Sequence, residues 1–401
     1  MLGLYIGIIL LLNIPYVQHR MSVLVAKELS TVLGSELTVG RINIGLLNRI
    51  IIDDLVLNDQ SGKELLKIGR LSAKFEILPL FSGKISIGNV QLFSFNANLE
   101  RPTPQASTNF QFVLDAFASK DTVKKKSNLD LRINSLLIRR GKVSYDVLSA
   151  ESTPGKFNPQ HIRLSNILAN ISLKALQNDS VNAAIKRMSV EEEHSGFELK
   201  KLSLKIIAND RKMRIENFAI DLPNTSLAMD TIRMEYDSLE SLGHFTDDVR
   251  FSFRMLPSEV ALQDISAFVP AFKPFKEKLK LEMEAAGTVN RLNCPKLLIS
   301  SNDHFLLKGN VSLQDLSHPQ DAYIFGNLSN LYADPDGIAF FVRNLSKDYK
   351  GVPPVLQNLG TVSFRGEISG YFTDLVTYGE VRTDIGLSLI HISEPTRRSY
   401  I

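Results

Sequence analysis

One eight-residue pattern of apolar residues recurs along this chain and constrains its fold more than any other feature. Apolar side chains occupy the first, third, sixth and eighth positions, and two spacer residues separate the two pairs, as in LTVGRINI at 37–44. Further copies begin at Ile50, Ile85, Leu131, Ile162, Phe197 and Met213. The sequence therefore repeats one short structural unit between residues 37 and 220.

The spacing of this pattern is typical of β-strands that contain one extra residue. Side chains at i and i+2 share a face of a strand, so strict alternation would place the fourth apolar residue at i+6 rather than i+7. The apolar set stays on one face only if the strand bulges or turns at the spacers, where Gly, Asn, Asp and Ser are frequent. Because a bulge bends its strand, many of them predict a curved sheet with an apolar concave face. The alternative is an ordinary β-sandwich with short turns at the spacers.

We therefore predict a mainly β protein with an N-terminal transmembrane helix, a long curved antiparallel β-sheet and a few short helices. The apolar positions of the repeats are the candidate lining of the concave face. These candidate residues are Leu37, Val39, Ile42, Ile44, Ile52, Leu55, Leu57, Ile85, Ile87, Val90, Leu92, Leu131, Ile133, Leu136, Ile138, Leu199, Leu202, Leu204, Ile215, Phe218 and Ile220. A structural β-domain with a closed core is a further alternative.

The N-terminal segment predicts a membrane anchor. Residues 2–17 are apolar except for Asn13, although this run is slightly shorter than the roughly 20 residues that cross a bilayer. No small-residue cleavage site follows it and no Lys or Arg precedes it, so an uncleaved anchor is favoured over a signal peptide. The missing basic flank suggests an internal start codon or a truncated front end. The expected anchor residues are Leu2, Leu4, Ile6, Ile8, Ile9, Leu10, Leu11, Leu12 and Ile14.

Three segments have helical signals. An apolar stripe over 18–34 ends at Gly34, a typical C-cap, and we expect this helix to plug the end of the sheet rather than lie on the membrane. Thr108 and Gln111 fit a capping box, and Ser258 predicts the start of a helix over 258–268. The expected segments are the anchor 1–17, the helix 18–34, β-segments 35–101, 129–256 and 279–386, a helix and polar loop 102–128, a helical insertion 257–278, and a tail 387–401.

The C-terminal tail has a different character. Residues 387–397 are similar to the translation of a synthetic sequencing adapter. We therefore expect the tail to be non-native and the natural sequence to continue beyond Gly386.

No motif predicts an enzyme, a metal site or a cofactor. The chain has 46 basic and 43 acidic residues and no basic stripe, which argues against nucleic acid as a partner. Cys294 is the single cysteine, and it is interpreted as a buried or bystander thiol. The segments 191–194 and 334–337 are interpreted as a charged hairpin tip and a turn, because the other ligands of a cation site are missing.

Several segments follow the predicted anchor in a recognisable order: VGRI at 39–42, LVLNDQSG at 55–62, LKIGRL at 66–71, LPLFSGKI at 78–85, VQL at 90–92, DISAFVP at 264–270 and GTVSFRGEISG at 360–370. This order resembles the N-terminal part of the AsmA-like superfamily and, within it, the TamB family of the Bacteroidetes type. Members are longer and have a C-terminal domain that is absent here, so the resemblance implies a fragment. It covers residues 1–386 and carries over no catalytic residues.

The resemblance implies a taco-like β-groove related to bridge-like lipid-transfer proteins. It also implies a Gram-negative inner-membrane protein with one N-terminal anchor and its body in the periplasm. The leading hypothesis is a protein of outer-membrane biogenesis that carries membrane phospholipids between the inner and outer membranes. The alternative is a translocation and assembly module subunit that binds an outer-membrane barrel protein. Its strand edges would then serve as a scaffold for outer-membrane protein insertion or protein secretion by β-augmentation.

Overall fold

The computed structural model describes residues 7, 11–45, 48–76, 86–117, 134–177, 180–275, 277–301, 304–318, 321–345, 352–371 and 374–393. Within these ranges, eighteen strands belong to one mixed sheet. The strands are β1 Leu37–Gly45, β2 Arg49–Asn58, β3 Glu64–Glu76, β4 Ser86–Arg101, β5 Ser135–Val147, β6 His161–Gln177, β7 Ser180–Glu192, β8 Phe197–Ala208, β9 Lys212–Asp221, β10 Ser226–Glu235, β11 Arg250–Ala261, β12 Lys278–Thr288, β13 Arg291–Ser301, β14 Phe305–Gln314, β15 Tyr323–Ala333, β16 Val362–Tyr371, β17 Asp374–Thr383 and β18 Gly386–Ser393.

Few and mostly short helices accompany the sheet. The α-helices are α1 Pro15–Leu33, α2 Gln111–Phe117, α3 Phe245–Asp248, α4 Pro335–Leu345 and α5 Pro354–Gln357, and 3₁₀ turns cover Leu239–His244, Leu262–Ile265 and Pro270–Phe272. The prediction of a mainly β protein with a few short helices is confirmed.

The prediction of a purely antiparallel sheet is wrong at one place. β4 and β5 run parallel, from Asn89 opposite Ser135 to Arg101 opposite Val147. A long connection that contains α2 joins these two strands, as parallel neighbours require, whereas antiparallel neighbours such as β1 and β2 can be joined by a short hairpin.

The chain divides into two units. Unit 1 comprises residues 1–176 and 182–203, and unit 2 comprises residues 177–181 and 204–401. Each unit therefore contains part of the sheet.

A line of unusual backbone positions crosses the strands of unit 1 at the spacers. Asp54, Ser94 and Arg140 have left-handed backbone angles, with φ of 55°, 54° and 56°. The strand registers place Gly40 and Gly69 next to Asp54 on its two sides. A Cβ atom at Gly40 would lie only 3.0 Å from the Cβ atom of Asp54, so a glycine fits this position best. We call this line the crease.

The crease differs from the predicted bulges in one respect. The pairing register from β1 to β4 does not shift at the spacers. Each of these strands carries the extra residue, and the extra residues lie opposite one another in neighbouring strands. Between β5 and β6 the register shifts there, on both sides of Gly141. At most positions of the crease, the strands therefore contain paired residues with a left-handed backbone rather than the unpaired residues of a bulge.

Unit 2 contains true bulges. The register shifts in each pairing from β10–β11 to β15–β16. Pro257 and Pro295 lie within two of these shifts. Proline cannot donate a ladder hydrogen bond and is tolerated inside a sheet mainly at bulges, which explains both positions.

Helix α1 confirms part of the sequence interpretation. Gly34 ends it in the left-handed conformation with φ of 64°. Leu33 is buried in a cluster with Leu37, Leu57 and Leu65, against which α2 also packs. The helix thus covers one end of the apolar surface of unit 1, as expected.

Two local predictions are wrong. The segment expected to be a helix over 258–268 continues β11 to Ala261 and then forms a 3₁₀ turn. The Ser258 hydroxyl donates to the carbonyl of Leu256 and accepts from the amide of Ala228, so it serves the bulge after Pro257. The segment read as a turn at 334–337 begins helix α4, where an Asp334 carboxylate oxygen accepts from the amide of Gly337 at 2.8 Å.

Both ends of the chain lie partly outside the described residues. Among the residues that the structure describes, no helix is long and apolar enough to span a membrane. The predicted anchor residues Leu2, Leu4, Ile6, Ile8, Ile9 and Leu10 are outside that part of the chain. At the other end, β18 pairs with β17 and comprises Gly386 and residues 387–393 of the suspected tail.

The crease makes a prediction about stability. Asp54→Val should lower the free energy of unfolding by about 1–3 kcal/mol, because a β-branched residue is strained at positive φ. Asp54→Gly should change it by less than about 1 kcal/mol, since glycine adopts this conformation freely. Urea denaturation followed by circular dichroism measures both, with Thr38→Val in β1 as the control. Equal losses for the two Asp54 variants would contradict the crease.

Candidate apolar binding face

The repeats of unit 1 assemble into apolar rows that run across six strands. Residues opposite each other in neighbouring strands share a face, so each row follows directly from the registers of β1 to β6. The four rows are Leu37–Leu57–Leu66–Ala97–Val143–Leu164, Val39–Leu55–Ile68–Phe95–Gly141–Ile167, Ile42–Ile52–Leu71–Leu92–Ile138–Ala169 and Ile44–Ile50–Ala73–Val90–Leu136–Ile171. We call this surface the apolar face of unit 1.

The crease lies between the second and third rows. Without the extra residue, the third and fourth rows would point to the opposite side of the sheet. The phase change at Gly40, Asp54, Gly69, Ser94 and Arg140 therefore keeps all four rows together. No charged residue occurs in any of the rows.

The apolar face is only partly covered. Leu37 and Leu57 are buried beneath α1 and α2. In the second and third rows Ile42, Leu55 and Ile68 are also buried, whereas Leu92, Leu136 and Ile138 stay partly exposed. The described strands all belong to one sheet, so they do not form the two separate sheets of a sandwich.

The opposite face of unit 1 is polar. An Asp53 carboxylate oxygen lies 2.6 Å from Nε of Arg70, and the Arg139 guanidinium lies 6.0 Å from the ring centroid of Phe93. Such exposed pairs contribute little to stability. They mark this side as the one in contact with water.

Unit 2 carries a second apolar face of the same kind. Its registers align apolar residues and glycines across β12 to β17. Two of the rows are Leu281–Ile299–Leu307–Leu331–Phe364–Val381 and Met283–Leu297–Gly309–Leu328–Gly366–Gly379. The bulges of unit 2 fall beside the second row, and the one in β15 lies between Leu328 and Leu331 and keeps these two residues on one side. Lys308, next to Leu307 in β14, is exposed on the other side.

The structure brings together most of the predicted lining residues. Those on the apolar face of unit 1 are Leu37, Val39, Ile42, Ile44, Ile52, Leu55, Leu57, Val90, Leu92, Leu136 and Ile138. Ile215, Phe218 and Ile220 of β9 oppose Ile232, Met229 and Leu227 of β10. Leu199, Leu202 and Leu204 lie in β8.

Four predicted residues cannot be placed on a face. Ile85, Leu131 and Ile133 lie outside the described residues, and the structure describes only the backbone of Ile87.

Sequence reasoning missed a whole strand of the face. In β3, Leu66, Ile68, Leu71 and Ala73 have the same spacing as the other copies and face the same way. The signal was present, because Gly69 occupies a spacer as Gly40 does in β1.

The repeat frame was also misplaced in two strands. In β4 the phase change follows Leu92 rather than Ile87, so Phe95 belongs to the face. In β5 it follows Ile138 rather than Ile133, and Gly141 there leaves room for the ring of Phe95.

The acidic hairpin at 191–194 has a structural role. Glu192 is buried, and its carboxylate accepts hydrogen bonds from the amides of Arg163, His194 and Ser195 and from the Ser195 hydroxyl. Burial raises the pKa of Glu192, but these hydrogen bonds outweigh burial and hold the pKa below its usual value. The carboxylate thus closes the β7–β8 turn.

One cluster of possible metal ligands occurs within the described residues. His304, Asp334 and Asp336 place one ligand atom each within 4.8 Å of one another. His304 Nδ1 lies 2.6 Å from a carboxylate oxygen of Asp334. Burial raises the pKa of Asp334, whereas the hydrogen bonds from His304 and Gly337 lower it, with a net decrease. The start of α4 already uses these groups.

Cys294 belongs to the apolar face of unit 2. It is buried opposite Val311, and its Sγ atom lies 3.9 Å from Sδ of Met283. Burial raises the pKa of this thiol, which disfavours the reactive thiolate. The interpretation as a buried thiol is confirmed.

Comparison with protein-family models and with curated protein sequences finds no match for this chain.

The buried carboxylate gives a pH prediction. The folded-state pKa of Glu192 is depressed, so its stabilisation is present above the ordinary value of 4.5 and is lost as the pH falls through the folded pKa. Glu192→Gln should lower the free energy of unfolding by about 1–3 kcal/mol at pH 7. It should also make the free energy of unfolding fall less steeply as the solution is acidified. Urea denaturation over pH 3–7 tests this, roughly spanning the titration range. Glu193→Gln, exposed in the same turn, should leave the curve unchanged; a matching loss there would contradict the assignment.

Proposed function

We propose that this chain is a lipid-transfer protein in which phospholipid acyl chains lie along the apolar faces of the sheet. The observation that carries the proposal is the set of four uncharged rows in unit 1, in which Leu92, Leu136 and Ile138 stay partly exposed. Monomeric proteins rarely expose a large apolar surface unless it binds something.

The geometry of the rows suits an extended hydrocarbon. Six neighbouring strands spaced by about 4.8 Å give a row roughly 24 Å long. Each CH₂ group removed from water contributes about 0.8 kcal/mol, so ten groups along one row would contribute roughly 8 kcal/mol before entropic costs. Such binding needs an uninterrupted apolar lining rather than specific polar contacts, and the rows of unit 1 provide that lining.

We propose that the crease and the bulges curve the sheet into a groove. Left-handed residues aligned across neighbouring strands bend them at the same level, and bulges bend and twist their strands. The apolar rows on both sides of the crease would then face a common space, with headgroups at its open edge. This is the finer form of the fold, the taco-like groove, that the resemblance implies.

The cellular setting of the proposal comes from the resemblance to the TamB family. In this setting the chain is anchored in the inner membrane of a Gram-negative bacterium and its body lies in the periplasm. It carries phospholipid towards the outer membrane, where an outer-membrane barrel protein is the expected partner.

The scaffold alternative requires a free strand edge. Helix α1 uses side chains to bond backbone groups of the first strand: Ser30 Oγ accepts from the Leu37 amide at 2.9 Å, and Asn13 Nδ2 donates to the Ile44 carbonyl at 2.7 Å. β1 is therefore partly occupied, which favours binding at the apolar face over β-augmentation at this strand.

Photo-crosslinking in cells tests the proposal directly. A photoreactive amino acid at Leu92 or Leu307 should form phospholipid adducts, detected by mass spectrometry of the purified protein. The same probe at Lys74 or Lys308, exposed on the polar side, should form none. Equal phospholipid adducts at the apolar and the polar positions, or protein adducts alone, would refute the lipid-transfer proposal. Adducts to an outer-membrane protein would favour the scaffold.

A charge in the lining should block lipid binding. Leu307→Asp should lower the phospholipid that copurifies with the protein by roughly tenfold, because it removes the contacts of about two CH₂ groups. Lys308→Asp, the adjacent residue on the polar side, should leave the amount unchanged. Both are measured by lipid extraction, after circular dichroism shows that each variant is folded. Normal lipid content in folded Leu307→Asp would contradict the proposal.

A further inference from the structure

The first half of helix α1 has an inverted distribution of polarity, whereas Ala26, Leu29 and Leu33 in the second half pack on the core. Gln18 and Ser22 are 8% and 1% exposed, whereas Val23 and Leu24 beside them are 53% and 63% exposed. A helix that packs on a protein and faces water normally shows the opposite arrangement. The outward side of α1 is therefore built for a medium other than water.

The buried polar residues of α1 have hydrogen-bond partners. Gln18 Nε2 donates to Asn43 Oδ1 of β1 at 2.6 Å and to Asn13 Oδ1 at 3.2 Å. Ser22 Oγ donates to the His19 carbonyl within the helix at 2.9 Å. The bond between Gln18 and Asn43 directs the Gln18 side of the helix to β1, so Val23 and Leu24 lie outward.

The outward side combines apolar and basic residues. At 3.6 residues per turn, positions 16, 20, 23, 24, 27 and 31 fall on one side of the helix. Tyr16, Val23 and Leu24 supply apolar surface, and Arg20 and Lys27 supply positive charge, with no acidic residue in this set. The Arg20 guanidinium carbon lies 5.6 Å from the Tyr16 ring centroid, so its charge extends over an aromatic ring.

We infer that this side of α1 lies in the surface of an anionic lipid bilayer. Val23 and Leu24 enter the boundary between headgroups and acyl chains, and Arg20 and Lys27 extend to the phosphates, as basic residues do on interfacial helices. The positive charges of Arg20 and Lys27 outnumber their one exposed acidic neighbour, Glu28, and complement anionic headgroups, and the apolar run at 2–12 directly precedes the helix in the sequence. The inference does not depend on what the apolar faces of the sheet bind.

Site-specific fluorescence in vesicles tests this inference. The full chain with Cys294→Ala and Leu24→Cys, labelled with an environment-sensitive dye, is reconstituted into phosphatidylethanolamine–phosphatidylglycerol vesicles. We expect a blue-shifted emission that nitroxide groups on the lipid acyl chains quench. Lys67→Cys, exposed on the polar side of β3, is the control and should show neither effect. Circular dichroism verifies that both labelled variants are folded.

The outcomes separate the possible occupants of this surface. A dye at position 24 that behaves as in water would overturn the inference. A blue shift that depends on protein concentration and resists lipid quenching would also overturn it, because it indicates a second copy of the chain.

The basic residues provide a second measurement. Each Lys or Arg near an anionic surface contributes about 1 kcal/mol, so Arg20→Gln with Lys27→Gln should shift the local equilibrium away from the immersed state by roughly 30-fold. Quenching that is the same with and without these two charges would contradict the binding of Arg20 and Lys27 to anionic headgroups. Because the readout is the depth of one helix, it gives the same answer whether or not the sheet carries lipid.

Discussion

The unshifted backbone pairing register across the crease is the constraint on which the rest of unit 1 depends. Each strand from β1 to β4 carries one extra residue, and the extra residues oppose one another, as Gly40 opposes Asp54. Glycine alternates with a left-handed residue because two Cβ atoms would crowd at this separation. The arrangement keeps the ladder hydrogen bonds while it changes which side of the sheet the following residues face.

The apolar face exists only because this phase change is shared. A one-residue slip in one strand would turn its later side chains to the polar side and interrupt every row that crosses it. Unit 2 reaches the same end by a different route, with bulges at Pro257 and Pro295 beside its apolar rows. The left-handed residues of unit 1 and the bulges of unit 2 thus produce the same result, which is an uncharged surface on one side of the sheet.

Much of this could be predicted from the sequence, because the information is local. The spacer Asp54 and the C-cap Gly34 both adopt the backbone that their residue types favour. The frame of β4 could not be predicted, since 85, 87, 90, 92 and 90, 92, 95, 97 fit the pattern equally well. The choice depends on Ser94 lying next to Gly69 and Arg140, which is a long-range register. Ser258 likewise looks like a helix cap until its bonds across a bulge to Leu256 and Ala228 are known.

Helix α1 and the sheet share one physical problem, which is apolar surface without a protein partner. In the sheet, Leu92 and Ile138 stay partly exposed. In the helix, the bonds of Gln18 to the first strand force Leu24 outward. A folded chain retains such surfaces at a cost in solubility unless they are covered in use. Lipid suits both surfaces, because hydrocarbon requires apolar area without geometric complementarity, and a bilayer also supplies the anionic groups that Arg20 and Lys27 attract.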